Sequence, residues 1–313
     1  MSRFFAVVAA LLLSAAGPIA TFAQEATPTS ASFADALDLP ELEITQTEDG
    51  FAGVPEETEA GRYLVTFTGQ APQGIVNFVQ LPEGLTVDDL LSAIGPVSAD
   101  GELAGTPPAE EEAAPVVPEW LYETYVPGGA AFFVPGQRVQ TVVDLRPGDY
   151  AVWNDDFEAP QAVPMTVTGE MPSDLPEPEA DATIRELKTE EGYAFEVDGE
   201  LAAGQLTLEI ANEADQPHHV VFVKSPTEIT EEQAMQLLMF DPSAGTPPPG
   251  LPSPEEFTFP AYVPTQSADT TQWNALNLEP GYYVVACFVE DPTKGNVPHA
   301  FEGMIEVFEV AEA

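Results

Sequence analysis

Basic side chains are scarce in this sequence: 8 lysines and arginines stand against 53 aspartates and glutamates. A polyanion repels nucleic acid and anionic membrane surfaces, so neither is a natural partner. A saline habitat accounts for the acidity without any function. Steering toward a basic partner protein is the functional alternative. Histidine is nearly as rare, with 3 residues, and Cys287 is the single cysteine. One cysteine forms no disulfide within the chain, and three histidines, two of them adjacent, are too few for a trinuclear metal cluster within one chain. No Ser-His-Asp arrangement or Gly-rich phosphate loop is visible. Past the N-terminus, no apolar run approaches the ~20 residues that a membrane-spanning helix needs.

The N-terminal residues 1–23, MSRFFAVVAALLLSAAGPIATFA, combine one arginine, a long apolar run and the small residues Thr21 and Ala23. That is the pattern of a secretory signal peptide, with the mature start near Gln24. The segment has no cysteine, so a lipid anchor at a cleavage-site cysteine is excluded. The expectation is a soluble, exported protein, periplasmic or extracellular. Export makes a lone cysteine informative, because an oxidising compartment favours paired ones.

Residues 24–40 are rich in Pro, Ser and Ala and read as a flexible tail. From Glu41 the chain alternates short β-type runs with turn residues, such as RYLVTFTG (62–69) and GIVNFVQL (74–81). An acidic, Pro-rich stretch at 169–181 interrupts this and reads as a linker. The alternation then restarts, with HHVVFVK (218–224), YYVVACFV (282–289) and MIEVFEV (304–310) among its runs. Many short strands with Pro/Gly turns predict β-sandwiches or barrels.

The two halves repeat one another. APQGIVNFVQLPEGLTVDDLLSAI (71–94) aligns without a gap on DQPHHVVFVKSPTEITEEQAMQLL (215–238), and LRPGDYAVW (145–153) on LEPGYYVVA (278–286). The motifs GTPP and YVP also recur in the same order. The predicted architecture is all-β: two tandem β domains at 41–168 and 182–313. Each carries one short helix, Thr86 to Ile94 and Thr230 to Leu238, capped by its threonine, and one long Pro/Gly-rich loop.

The duplication is an internal control, since both copies share a scaffold but need not share a site. His218 and His219 align with Gly74 and Ile75, Cys287 aligns with Asn154, and residues 24–181 contain no histidine. Both copies keep the turn glycines and strand apolars, while only the second keeps thiol and imidazoles together. Thiolate, imidazole and thioether are soft ligands that suit copper.

These residues carry a resemblance. Asn212 followed by Pro217-His218-His219-Val220-Val221-Phe222, then Pro280-Gly281 leading to Cys287, then Pro298-His299 with Gly303-Met304, resemble the cupredoxins, the blue copper proteins related to plastocyanin. The resemblance covers residues 204–310 well and 61–168 in degenerate form. It implies Greek-key β-sandwiches and one copper ion bound by His218, Cys287, His299 and Met304. By strand alternation only one of the two adjacent histidines enters the site. His219 is expected to be a half-exposed neighbour that gates the site or meets a partner. Eleven residues separate Cys287 from His299, more than the family usually has, and this insertion, polar and turn-rich, is expected to protrude.

The function expected is an exported copper protein that carries single electrons and is not an enzyme. The alternative is a non-redox copper carrier or a metal-free extracytoplasmic binding module.

Overall fold

The computed structural model describes residues 37–94, 117–156, 159–240 and 250–312. The predicted signal peptide at 1–23 and most of the tail at 24–40 lie outside them. The first half contributes β1 (Glu41–Thr47), β2 (Gly50–Ala52), β3 (Glu57–Glu59), β4 (Gly61–Gly69), β5 (Gly74–Gln80), β6 (Gly128–Phe132), β7 (Val139–Leu145), β8 (Gly148–Trp153) and β9 (Ala162–Thr168). The second half contributes β10 (Ala182–Lys188), β11 (Tyr193–Asp198), β12 (Gly204–Asn212), β13 (His218–Ser225), β14 (Thr258–Gln266), β15 (Thr270–Leu278), β16 (Gly281–Ala286), β17 (Glu290–Asp291), β18 (Val297–Pro298) and β19 (Ile305–Val310). Three helices, α1 (Val87–Ile94), α2 (Glu119–Glu123) and α3 (Glu231–Leu238), complete the regular structure used below.

The same pairing scheme occurs twice. In the first half, a sheet ordered β2-β1-β4-β7 packs on one ordered β3-β9-β8-β5-β6. In the second, β11-β10-β12-β15 packs on β14-β13-β16-β19. Even the parallel pairs recur, β1 with β4 and β10 with β12, inside otherwise antiparallel sheets. Each half is therefore a cupredoxin-like β-sandwich with its own core. Val65, Phe67, Val76, Phe78, Tyr150 and Val152 fill the first, while Leu208, Ile210, Phe222, Tyr283 and Val285 fill the second. Each such side chain contributes about 1.5–3 kcal/mol through the apolar surface it removes from water. The threonine caps form as the sequence predicts. Thr86 and Asp89 bond reciprocally at the start of α1, and Thr230 and Gln233 form a capping box on α3.

The sandwiches are not separate bodies on a tether. Strand β15 pairs antiparallel with β7, so the two inner sheets run on as one eight-stranded sheet. The central pair is Thr141 with Asn274. By the LRPG/LEPG alignment these two residues are equivalent, so the repeats are related by an approximate twofold axis through that pair. This explains why β4 is buried along nearly its whole length instead of on alternate residues. Tyr63, Val65 and Phe67 enter the first core, while Leu64, on the other face, clusters with Val142 of its own half and with Trp273 across the boundary. Polar bonds pin the same junction: Ser267 N–H donates to Val126 O at 2.8 Å, and Asn77 Nδ2 donates to Thr265 O at 3.1 Å. Residues 169–181 hold no helix or strand, yet Arg62 Nη1 donates to Pro176 O at 2.9 Å and anchors them to the first half.

Candidate metal centre

Strand ends at one pole of the second sandwich bring the rare residues together. His218 opens β13, Cys287 follows the last residue of β16, and His299 opens a short 3-10 turn, His299–Glu302. Gly303 closes that turn with φ of 103°, a left-handed conformation that glycine adopts without steric cost. The chain then enters β19 through Met304. Because β16 and β19 pair with Ala286 opposite Ile305, Cys287 and Met304 emerge side by side. Backbone bonds knit the segment: Cys287 N–H donates to Met304 O at 3.2 Å, Met304 N–H to His299 O at 3.0 Å and Ala300 N–H to Cys287 O at 2.7 Å.

Three donor atoms converge here. Cys287 Sγ lies 3.6 Å from His218 Nδ1 and 3.7 Å from His299 Nδ1. All three donors lie within 4.8 Å of one another, and all three residues are fully buried. Bonds of about 2.0 Å to nitrogen and 2.3 Å to sulfur, meeting at a trigonal angle, span roughly 3.7 Å. One metal ion therefore fits between them without moving the chain. Met304 is fully buried in the same core cluster as Cys287.

Electrostatics prepare the donors. Burial holds the His299 imidazole down to about 4, with Asp291 opposing it, and holds His218 well below the ordinary histidine range. Both are neutral near pH 7, as ligation requires. Burial also pushes the Cys287 thiol far above its usual value. Only a bound cation compensates a thiolate there, so metal uptake and proton release are coupled.

Residues outside the predicted set orient the donors. His299 Nε2 is 3.1 Å from Gln216 Oε1, an acceptor, so Nε2 carries the proton and Nδ1 presents its lone pair toward Cys287. Gln216 Nε2 in turn donates to Asp291 Oδ1 at 3.0 Å. Asp291 also accepts from Thr293 N–H at 2.8 Å and Thr293 Oγ1 at 2.6 Å. The inserted stretch VEDPTKGNV (289–297) thus folds around a buried carboxylate, with β17 and β18 paired as a small hairpin. The insertion was expected to protrude; residues 292–296 are exposed, and Asp291 at the base ties the backbone down. Sequence reading missed Gln216 and Asp291, and the only available signal was a polar side chain two residues before His218. The Tyr193 ring sits against both imidazoles, with centroids 4.8 Å from His218 and 4.4 Å from His299. His218 Nε2 has no hydrogen-bond partner among the described residues.

His219 is partly exposed, as expected, but both its nitrogens are engaged, so its ring is not a free gate. Phe288 N–H donates to Nε2 at 2.8 Å, and Nδ1 lies 3.2 Å from the Tyr262 hydroxyl.

The first copy keeps the frame around a closed site. Asn154, at the Cys287 position, sends its N–H to Gln161 O at 3.0 Å, as Cys287 does to Met304. Its amide is consumed locally by Ala159 O and Gln161 N–H. At Gly74, in the His218 position, a Cβ would stand 2.5 Å from the Phe132 ring, so a side chain enters only if neighbouring side chains shift.

No protein-family model matches the chain, and no curated protein matches it. Among solved structures, the chain is similar to reduced auracyanin from Roseiflexus castenholzii at 23% identity and TM-score 0.25, over 41% of this chain and 94% of that one. It is similar to auracyanin A, a "blue" copper protein from Chloroflexus aurantiacus, at 22% identity and TM-score 0.26, over 42% and 96%. Over most of its length it is similar to the copper nitrite reductase of Nitrosomonas europaea at 11% identity and TM-score 0.21, covering 87% of this chain and 93% of that one. The metal assignment rests on the donor set itself. Two neutral imidazoles and one thiol, buried and spaced for trigonal coordination in a cupredoxin-like sandwich, are positioned to hold one metal ion and fit a type 1 copper site.

Proposed function

We propose that this protein is an exported single-electron carrier with one copper in its C-terminal half, which His218, Cys287, His299 and Met304 would hold. The observation that carries the reading is the convergence of Sγ and two Nδ1 atoms at 3.6 and 3.7 Å inside a fully buried pocket. Copper, when bound, supplies a one-electron couple. The chain's own residues do the rest. Gln216 fixes the His299 tautomer, the Asp291 hairpin holds His299 in place, and burial of all three donors excludes water from the site. These bonds would hold the His299 donor atom in one orientation toward the metal.

The reading divides the chain into a signal peptide at 1–23, a tail at 24–40, a metal-free domain at 41–168, a linker at 169–181 and a copper domain at 182–313. Among the described residues no helix is long and apolar enough to cross a membrane. Acidity of 53 against 8 basic residues favours a basic redox partner, whose docking would weaken with salt. Enzymatic turnover is not part of the reading: of three histidines, two serve the metal and His219 has both nitrogens in structural bonds.

Titration of the purified protein with Cu(II) tests this. One equivalent should give an intense visible sulfur-to-copper band and a reversible one-electron wave, and Cys287→Ser should abolish both. Copper bound without a redox wave would favour a non-redox carrier. A protein that takes up no copper would defeat the reading in both forms.

A further inference from the structure

The metal-free repeat reaches into the wall of the other repeat's site. Asp155 follows Asn154 and so occupies the position that Phe288 holds after Cys287. It sits at φ of 47°, a left-handed conformation that few residues with a Cβ adopt and that Asp tolerates better than most. From there Asp155 Oδ2 accepts from the Tyr262 hydroxyl at 3.3 Å, a bond from the first repeat to the second. The Tyr262 hydroxyl is also 3.2 Å from His219 Nδ1, and His219 Nε2 accepts from Phe288 N–H at 2.8 Å.

The polarity of this chain follows from one end. A backbone N–H only donates, so His219 Nε2 must carry its lone pair and Nδ1 must carry the proton. Nδ1–H then donates to the Tyr262 oxygen, and the Tyr262 proton is left for Asp155. Every donor has one acceptor and every link points the same way. A carboxyl accepts this bond in either protonation state. Hydrogen bonds in such series polarise one another, so the peptide N–H that follows Cys287 feels the group at the far end. Neither half of the chain has the relay alone: the first copy carries Ile75 at the His219 position.

We propose that Asp155 of the metal-free repeat is a positioning residue for the metal centre of the other. It orders the Tyr262 hydroxyl, Tyr262 orders the His219 ring, and His219 holds the Cys287–Phe288 peptide that aims the thiol. The duplicated copy that lost its own ligands therefore serves as an outer wall, and the eight-stranded sheet keeps that wall in register. The inference rests on the copper reading for its purpose but not for its geometry.

Nitrogen NMR of the metal-free protein tests the geometry directly. His219 should show the Nδ1–H tautomer, and the Phe288 amide should be protected from exchange. Tyr262→Phe should speed Phe288 exchange roughly tenfold or more, and Asp155→Ala should speed it by a smaller factor while the amides of β12 stay protected. In copper-loaded protein both variants should shift the visible band and the reduction potential, which a merely structural residue would leave in place. An Nε2–H tautomer in the wild-type protein overturns the relay without any variant having to fold. Folded variants with unchanged Phe288 exchange overturn it as well. Wild-type protein that shows the tautomer and the protected amide but binds no copper supports the relay and defeats the copper reading.

Discussion

His299 Nε2 and Gln216 Oε1 stand 3.1 Å apart, and this one bond decides which nitrogen of the imidazole faces Cys287. An amide oxygen only accepts, so the proton stays on Nε2 and Nδ1 remains a ligand atom. Outer partners of this kind typically govern metal affinity by 10–100-fold. Gln216→Leu is therefore expected to weaken copper binding by roughly that factor with a small loss of stability. Competition against a chelator of known affinity measures it, and unchanged affinity would remove Gln216 from the site.

Asp291 makes a separate prediction about acid. Burial alone would raise its carboxyl, but bonds from Gln216 and Thr293 more than offset that and hold it below its usual value. A depressed carboxyl contributes stability that is present above its unfolded value, near 3.9, and is lost as pH falls through the lower folded value. The hairpin at residues 290–298 should accordingly loosen below about pH 4. Asp291→Ala should loosen it at every pH and cost on the order of 1–3 kcal/mol, since it strands several donors at once. Urea unfolding followed across pH checks this; a variant that unfolds in parallel with the parent would contradict it.

The first repeat should resist repair. Restoring ligands by Gly74→His with Asn154→Cys copies the two positions aligned with His218 and Cys287. The Cβ at Gly74 would meet the Phe132 ring at 2.5 Å and Gln46 Oε1 at 1.9 Å. Overpacking of this kind costs about 1–3 kcal/mol or more. The double variant is expected to be less stable and still to bind a single copper ion. A second equivalent, seen by metal analysis after desalting, would show that Phe132 yields.

Much of this molecule was legible in its residues. The repeat exposed the strands, because turn prolines and glycines recur at fixed spacing in both copies. Scarcity exposed the donors, because Cys287, His218 and His299 have no counterparts in the first copy. What escaped depends on partners distant in sequence. Gln216 and His299 are 83 residues apart, and Asp155 and Tyr262 are 107 apart. No periodicity marks a polar side chain for such a meeting. The β7–β15 junction was hidden for a related reason: Val142 and Trp273 read as ordinary strand residues, and only tertiary docking decides which face they share.

Glu186 yields the sharpest pH prediction. It is fully buried on β10, and its Oε2 accepts from Gln266 Nε2 at 3.0 Å. Glu186 Oε1 and Gln266 Oε1 are both buried without a partner. Burial pushes the carboxyl up to about 8, so near neutral pH it holds a proton. The folded protein therefore binds a proton that the unfolded chain releases near 4.3. Stability is greatest below that value and falls as pH rises toward 8, because the folded state holds more protons across the interval. Glu186→Gln replaces the titrating carboxyl with an amide that stays neutral at any pH and whose oxygen can still accept from Gln266. The variant should match the parent near pH 5, exceed it above about pH 8 and show a flatter profile between, read from urea midpoints. Parallel profiles would mean that Glu186 is charged in the folded protein, with water or a cation paired to it.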